Sequence, residues 1–456
     1  MYRTLESLSK KYGPILPLRF GSRPVLVLSS PSAVKELFSR NDLVFANRPR
    51  VLFGELLNYN STTLGTTSYG DHWRNLRRIS TLEMLSAAKL NSSFGIRQEE
   101  VRSLLKNLFR NSREDFVKVE MKSRLSELTF NIITRMVAGT KYFGNEAADS
   151  LDATEFRRII SDILSYATLN VGDYVPIFRW IDFRNVKRRM LKIHKKMDVF
   201  MQGLMNENRR KDKEVSEQNG GKTKSMMDTM LGLQESDPQY YSDEIIKGHV
   251  QTMIIGGTDT STMTIEWAMS LLLNHPKVLD KARVELDAIV GENRLVEEPD
   301  LSKLPYLQNI FNETHRLFPP APLLVPHESS DDCTIEGHDV ARGTMLLVNA
   351  WAIHRDPMVW EDPTSFMPER FEGGKNDVYR LMPFGVGRRT CPGTKLANRV
   401  VGLALAALIQ CFEWVRIGEE LVDMSEGING VTIPKSKPLE AMCRARKTMI
   451  NVLSEL

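Results

Sequence analysis

The chain has 456 residues, of which 42% are hydrophobic and 26% are charged, and such usage is ordinary for a globular protein. This composition excludes a disordered, a collagen-like or a disulfide-stapled chain. The net charge of +4 is small for this length, so charge gives no argument for nucleic-acid binding.

The first part of the chain predicts a helix, a hairpin and then mainly helices. Pro17 cannot donate a ladder hydrogen bond, so the first strand of the hairpin is expected at a sheet edge. The predicted elements are a helix over 4–11, strands over 15–20 and 24–28, a helix over 33–39, a long loop over 40–68 and mainly helices over 70–137.

Two segments of different character follow. Residues 150–205 read as helical, with a break near 172–176 where Gly, Asp and Pro cluster. Residues 207–224 are rich in both charge signs and poor in apolar side chains, which predicts a solvated loop with no binding role.

Residues 243–274 predict one uninterrupted helix, because the segment is mostly apolar and contains no proline. At 1.5 Å per residue, such a helix would be about 48 Å long. A compact chain of this length has a diameter of somewhat under about 60 Å, so one helix would cross nearly the whole molecule. This favours one large helical domain over the three domains that length alone suggests.

The last third mixes helices with short strands. The predicted elements are helices over 277–290, 304–318 and 393–412, a β-rich stretch over 323–349, an irregular segment over 355–390 and short strands over 428–453. The chain contains no run of ~18 apolar residues and starts without an apolar signal core.

The segment 383–393 carries a cysteine, Cys391, between two glycines and a proline. Pro392 favours the first position of a helix, where backbone N–H groups and the helix dipole stabilise an anion. A thiolate in that place is a good ligand for a soft metal. A lone cysteine there is more often a buried structural residue, so the surrounding pattern decides between the two interpretations.

Two further patterns have ordinary structural interpretations when each is taken alone. Glu313 and Arg316 stand at i, i+3, which is typical of an exposed helical ion pair. Residues 256–261 read Gly-Gly-Thr-Asp-Thr-Ser inside the long helix, where two glycines are costly unless a neighbour approaches closely or the helix is distorted.

These motifs together resemble the cytochrome P-450 monooxygenases. The haem-ligand loop Phe-x-x-Gly-x-Arg-x-Cys-x-Gly of that family is matched at Phe384, Gly387, Arg389, Cys391 and Gly393. By this resemblance Cys391 is the axial thiolate on the iron of haem b, and Arg389 pairs with a haem propionate.

The resemblance also assigns the other motifs. Glu313 and Arg316 would form a buried structural triad with Arg370 of the Pro-Glu-Arg-Phe segment, and His315 between them receives no role. In the long helix, Gly256 and Gly257 would open a groove for O₂, and Asp259 and Thr260 would organise the delivery of protons.

Further candidates depend on the same resemblance. Trp73, Arg77 and His327 match residues that contact the propionates, and the loops 48–68, 168–180 and 321–326 are expected to form the substrate pocket. The basic residues Arg74, Arg78, Arg388, Lys395 and Arg399 are either solvated surface charges or a docking face for an acidic reductase.

The resemblance covers essentially the whole chain. The sequences of several segments are similar to those of the plant A-type group, in particular to the subgroup with isoflavone 2′- and 3′-hydroxylases and enzymes that form methylenedioxy bridges. It implies a mainly α fold with small β-sheets, namely one catalytic domain over 1–456 with a large helical part and a β-rich minor lobe. Members of this type begin with a membrane anchor and a proline-rich hinge and reside on the cytosolic face of the endoplasmic reticulum. Neither segment is recognised in this sequence, so a soluble or peripheral protein stays open as the alternative location.

The implied activity is the insertion of one atom of O₂ into a hydrophobic, aromatic plant metabolite such as an isoflavonoid, flavonoid or lignan. Electrons would come from NADPH through NADPH–cytochrome P-450 reductase. Two alternatives stay open: isomerase or dehydratase chemistry on the same haem fold, against which Asp259 and Thr260 argue, and a truncated paralogue that binds haem or a ligand without turnover.

Overall fold

Helices hold most of the residues that the structure, a computed structural model, describes, namely 1–143, 151–217, 224–374, 377–427 and 430–456. The α-helices in these ranges are α1 (Tyr2–Tyr12), α2 (Pro31–Arg40), α3 (Leu52–Leu57), α4 (Asp71–Ser80), α5 (Ala87–Ser92), α6 (Phe94–Ser112), α7 (Met121–Ala138), α8 (Leu151–Ser165), α9 (Val171–Tyr174), α10 (Ile177–Ile181), α11 (Val186–Glu217), α12 (Met226–Ser236), α13 (Asp243–Asn274), α14 (Pro276–Ile289), α15 (Pro305–Leu317), α16 (Ala350–Ile353), α17 (Thr394–Cys411) and α18 (Ile450–Ser454).

The strands form three small sheets. They are β1 (Ile15–Phe20), β2 (Arg23–Leu28), β3 (Val117–Glu120), β4 (His327–Glu328), β5 (Cys333–Ile335), β6 (His338–Val340), β7 (Met345–Val348), β8 (Phe412–Val415) and β9 (Glu440–Ala445). The sheet orders are β1-β2-β7-β4, β3-β9-β8 and β5-β6, and the pair β2–β7 is parallel. Pro17 lies on β1 at the edge of the first sheet, which confirms the prediction made from its missing N–H.

The four-stranded sheet is buried on both faces. Leu26 and Leu28 of β2 pack into one apolar cluster with α2, while Val25 and Val27 pack into another with Leu5 of α1. The alternation follows from the period-2 geometry of a strand. This sheet holds His327 of β4 beside the main helical core, whose central element is α13.

Helix α13 has the predicted bounds and runs without interruption over 32 residues. The Ser242 side chain caps its first turn by accepting from the Ile245 N–H, and the helix ends at the residue before His275 and Pro276. Helix α7 packs along it, with the hydroxyls of Thr129 and Thr262 2.8 Å apart. The long helix therefore forms the spine of the helical region.

Three sequence predictions need correction. The charged segment 207–224 is helical up to Glu217 as the end of α11, and 218–223 lies outside the described residues. The expected loop 40–68 contains α3, whereas the stretch 70–137 is mainly helical as predicted, with strand β3 between α6 and α7. The C-terminal segment forms β9 and then α18 rather than strands throughout, because Ile450 and Leu453 pack one turn of helix against the core.

Among the described residues, no helix combines the length and the apolar character that crossing a membrane requires.

Candidate active site

The loop that carries Cys391 lies between a short 3₁₀ turn, Gly387–Arg389, and helix α17. The Cys391 N–H donates to the Phe384 carbonyl at 2.9 Å, which closes the loop on itself. Helix α17 begins at Thr394 with Gly393 as its N-cap, so Pro392 precedes the helix instead of opening it as predicted. The cysteine thus stands just outside the positive end of α17.

The Cys391 side chain combines surface exposure with a desolvated environment. By surface area the residue is exposed, yet burial raises the pKa of its thiol, and both observations hold when a side chain opens onto an internal space. The Gly393 N–H, the charge of Arg77 and the Thr394 hydroxyl act in the opposite direction on this pKa. A sulfur with these neighbours is prepared for a metal, whose charge would deprotonate it outright.

Gly387 is required by the packing of this loop. Its φ of 74° lies in the left-handed region, and a Cβ there would meet Phe38 Cδ1 at 2.7 Å and collide with Asp42 Oδ1. The glycine of the motif therefore lets the loop lie directly against Phe38 of α2 and Asp42 beyond its end.

Glu313, Arg316 and Arg370 form a buried ion triad. The Glu313 and Arg316 side chains are 0% exposed and make two hydrogen bonds of 2.7 Å to each other, and Arg370 Nε donates to Glu313 Oε1 at 3.1 Å. The Met367 N–H donates to the same carboxylate oxygen at 2.9 Å. The carboxylate is thus paired with two guanidinium groups and one backbone N–H.

Every N–H of the Arg316 guanidinium has a partner. Besides Glu313, it donates to the backbone carbonyls of His354, Pro363 and Ser365 at 2.7, 2.6 and 3.0 Å. These carbonyls belong to the irregular segment before the cysteine loop. The triad therefore holds that segment against α15, and this role is structural.

A second group of cations lies at the other side of the cysteine loop. Arg389 donates through Nε to the Ala46 carbonyl at 2.6 Å and through Nη2 to the Thr67 carbonyl at 2.7 Å. Its guanidinium lies 4.6 Å from the centre of the Trp73 ring, and Arg77 donates to the Thr390 carbonyl at 2.7 Å.

Arg48 and His327 complete this cation group. Arg48 donates through Nη1 to the carbonyls of Val325 and Pro326, both at 2.8 Å, while its buried Nε has no partner. His327 Nδ1 lies 2.7 Å from the Phe45 carbonyl, which ties β4 to the same region. Sequence reasoning missed Arg48, because an arginine in a predicted loop carries no signal of burial.

The cation group carries positive charge that no carboxylate of the described residues compensates, so it favours the binding of an anion. Burial lowers the pKa of Arg48 to about 9 and that of Arg389 to about 10, with a further contribution from a neighbouring arginine in each case. Burial also lowers the pKa values of Arg77 and His327. Within the described residues, no carboxylate lies within 4.0 Å of Arg48, Arg77 or Arg389.

These residues fit the haem b that the resemblance implies. Its iron requires one thiolate, and Cys391 lies within the electrostatic reach of Arg77. Its two propionates require cationic donors, and the partnerless Nε of Arg48 is one such group. Trp73 supplies a buried flat surface against Arg389.

A cavity of about 800 Å³ lies against the middle of α13. Its walls come from α13, from segments of the loops 48–66 and 322–326, and from the residues around 164–169, 426–427 and 430–433. The first two loops were predicted to form the pocket, and the predicted loop 168–180 contributes Thr168 and Leu169. The C-terminal wall, with Thr432 and Ile433, was missed because chain order gives no hint that it returns to this place.

Asp259 and Thr260 line this cavity together with Gly256. The Thr260 hydroxyl donates to the Gly256 carbonyl at 2.8 Å, so it bonds back to its own helix, as threonine in a helix commonly does. Burial raises the pKa of the Asp259 carboxyl to about 6. An acid with this pKa can exchange protons close to neutral pH.

The two glycines of α13 have different surroundings, although both were expected to open one groove. Gly256 faces the cavity, and a Cβ there would meet nothing within 4 Å. At Gly257 a Cβ would lie 2.6 Å from Ile133 Cδ1 of α7. Gly256 therefore gives room on the cavity side, and Gly257 allows the close approach of α7.

The predicted basic face is partly neutralised. Arg388 pairs with Asp42 at 3.3 Å, Arg399 pairs with Glu298 at 3.2 Å, and Arg74 pairs with Asp71. Arg78 donates to the side chain of Asn75, and Lys395 is exposed. The net positive charge of this surface is thus smaller than the sequence predicted.

The chain is similar to known proteins over nearly its whole length. The family model for Cytochrome P450 matches residues 1–439. The isoflavone 3′-hydroxylase of Medicago truncatula is 51% identical over 98% of this chain and 88% of its own length, and the (+)-piperitol/(+)-sesamin synthase of Sesamum radiatum is 49% identical over 100% and 88%. A zebra fish cytochrome P450 structure with abiraterone superposes with a TM-score of 0.80 at 25% identity, covering 98% of both chains.

Proposed function

Since the chain belongs to the cytochrome P450 family, we propose that its residues 1–456 form one catalytic domain that oxidises a hydrophobic aromatic plant metabolite at the Cys391 site. As an enzyme it is a haem b monooxygenase of plant secondary metabolism. The observation that carries the site assignment is the arrangement itself. Arg48 lines the cavity together with Asp259 and Thr260, and its charge interacts with that of Arg389 in the loop that carries Cys391.

The proposal gives each group one task. Cys391 binds the iron, and Arg48, Arg77, Arg389, Trp73 and His327 hold the propionates and orient the ring. When bound, the haem supplies the oxidative chemistry, as cofactors of this kind do. Gly256 leaves space at the cavity wall, while Asp259 and Thr260 hold the protons that oxygen activation consumes.

The substrate class follows from the relatives and from the cavity. The names of the two relatives refer to an isoflavone and to piperitol and sesamin. The cavity walls offer mainly apolar side chains, such as Phe53, Leu323 and Ile433, against which a flat aromatic ligand would pack. We therefore assign an isoflavonoid, flavonoid or lignan as the substrate, with a hydroxylated or ring-closed product.

The partner and location are part of the same proposal. Electrons would arrive from NADPH–cytochrome P-450 reductase at the surface that carries Arg78 and Lys395. The cytosolic face of the endoplasmic reticulum would be the site of action. Support comes from helix α10, where Ile177, Trp180 and Ile181 are exposed, Trp180 by 90%, because such an apolar surface suits contact with a membrane.

Turnover tests this proposal. The haem-loaded protein is incubated with plant reductase, O₂ and a panel of isoflavones, flavones and lignans, with and without NADPH. Products that gain one oxygen atom or close a ring only when NADPH is present support the monooxygenase. A product that forms without NADPH and reductase would instead indicate isomerase or dehydratase chemistry, and binding spectra without any product would indicate a non-catalytic paralogue.

A further inference from the structure

His315 lies between the two halves of the proposed reaction centre. It occupies the middle of the Glu-x-x-Arg pair on α15, is 2% exposed and takes no part in the ion triad formed by its neighbours. Its ring packs edge-on against Phe311 at 4.3 Å on the same helix. A polar ring so deeply buried needs a reason, because burying an imidazole costs free energy unless its nitrogens are used.

One side of the His315 ring contacts the cysteine loop. The ring centre lies 5.3 Å from that of Phe384 at an interplanar angle of 59°. The Phe384 carbonyl in turn accepts the Cys391 N–H at 2.9 Å. A single residue therefore separates the imidazole from the proposed iron ligand.

The other side of the ring contacts the long helix. His315 Nε2 lies 3.4 Å from Thr264 Oγ1, and the Thr264 hydroxyl donates to the Thr260 carbonyl at 2.8 Å. A hydroxyl has one hydrogen, so Nε2 must be the donor in the first of these bonds. This chain of two hydrogen bonds ends on the backbone of the residue proposed to hold protons.

The protonation state of the ring agrees with this donor role. Burial lowers the pKa of His315 to about 3, so the ring is neutral at physiological pH. A neutral imidazole carries its one N–H on either nitrogen, and here Nε2 has the Thr264 hydroxyl at 3.4 Å while the buried Nδ1 has no hydrogen-bond partner among the described residues. The Thr264 contact therefore favours the tautomer with the N–H on Nε2.

We propose that His315 is a positioning residue that couples the cysteine loop to the oxygen-side wall of α13, through its tilted ring contact with Phe384 and its hydrogen bond to Thr264. The inference rests on the proposed function, because it takes Cys391 as the iron ligand and Thr260 as part of the oxygen site. Its two contacts are chemically different, so two substitutions can separate them.

The experiment uses the 456-residue, haem-loaded protein, with carbon monoxide and O₂ as probes and no substrate. One readout is the fraction of the reduced, CO-bound protein that keeps a thiolate-type absorption band on warming. The other is the rate at which the reduced protein returns to the oxidised state in air. The variants are His315→Leu, which removes both contacts, His315→Phe, which keeps an aromatic ring, and His315→Gln, which keeps an N–H donor.

His249→Leu is the matched control. His249 is a fully buried histidine on α13 whose Nε2 lies 3.1 Å from Ser80 Oγ, away from the cysteine loop. It reports what the loss of a buried imidazole does to the protein in general, and thermal midpoints are recorded for all variants.

His315→Leu is expected to lose the thiolate band earlier on warming and to reoxidise about fivefold faster, as the loss of one buried hydrogen bond allows. His315→Phe should keep the band but reoxidise fast, and His315→Gln should reoxidise at the wild-type rate. The proposal is overturned if His315→Leu matches wild type in both readouts, or if all variants and His249→Leu change only in proportion to their thermal midpoints. A wild-type protein without any thiolate band would overturn the proposed function instead.

Discussion

Two groups of buried and half-buried arginines flank the cysteine loop, and they differ in whether a carboxylate belongs to the group. In the triad, Glu313 lies between Arg316 and Arg370, and every N–H of Arg316 has an acceptor. In the cation group, Arg48, Arg77 and Arg389 donate only to backbone carbonyls, and the Nε of Arg48 has no partner.

The difference separates a structural site from a binding site. A buried charge with its counter-charge in the chain stabilises the fold in one geometry, and its function ends there. A buried charge without a counter-charge destabilises the fold until an anion binds beside it. This destabilisation of the charged form lowers the pKa values of Arg48 and Arg389. We expect the triad to control unfolding and the cation group to control haem retention.

Breaking the triad should have the largest effect. Glu313→Gln leaves two guanidinium groups without a counter-charge, so the free energy of unfolding should fall by about 3–5 kcal/mol. Urea unfolding of the purified protein measures this loss. Glu369→Gln is the control, because that carboxylate is 42% exposed and pairs with Lys281 at the surface, where a pair contributes about 1 kcal/mol or less. Equal losses in the two variants would contradict the structural role of the triad.

Removing a cation of the other group should give the opposite pattern. In Arg48→Met two hydrogen bonds are lost but an uncompensated buried charge disappears, so the free energy of unfolding without haem should change by about 1 kcal/mol or less. Haem affinity should fall about tenfold, because a charge-assisted contact to a propionate is lost. Competition with apomyoglobin for haem measures this. Arg50→Met, which removes an exposed arginine near Glu55, should retain wild-type affinity, and an unchanged affinity in Arg48→Met would remove Arg48 from the haem site.

Asp259 extends the comparison to an acid buried in the cavity wall. Its folded-state pKa of about 6 lies above the ordinary value of 3.8, so the folded state binds the proton more tightly than the unfolded state. This contribution to stability is complete below pH ~4 and is lost as the pH rises through ~6. Between pH 5 and 7.5, the free energy of unfolding should therefore fall by about 1 kcal/mol more in wild type than in Asp259→Asn. Parallel pH profiles for the two proteins would show that the carboxyl is not perturbed.

Features that depend on the residues of one element were predictable from the sequence. The bounds of α13 follow from an apolar segment without proline, the edge position of Pro17 from its missing N–H, and the meeting of Glu313 with Arg316 from the helical period. The family, the enzyme class and the haem cofactor, which the motifs indicated, are confirmed by the comparisons. The roles of the individual site residues stay predictions.

Features that depend on contacts between distant segments were not predictable. Arg48 is buried because residues 325 and 326 supply its acceptors, and no local pattern encodes that approach. The same holds for the C-terminal wall of the cavity. It also holds for the different surroundings of Gly256, which faces the cavity, and Gly257, which faces α7. The charged segment before residue 218 was assigned to a loop, although lysine, arginine and glutamate favour helices and extend α11 to Glu217.

The most direct test of the account concerns the iron ligand. The reduced, haem-loaded protein is treated with carbon monoxide, and the difference spectrum is compared among wild type, Cys391→Ala and Cys333→Ala, the last a half-buried cysteine outside the site. We predict the thiolate-type band in wild type and Cys333→Ala and its loss in Cys391→Ala. A thiolate-type band that persists in Cys391→Ala, or its absence from wild type, would contradict the assignment of Cys391 as the haem thiolate.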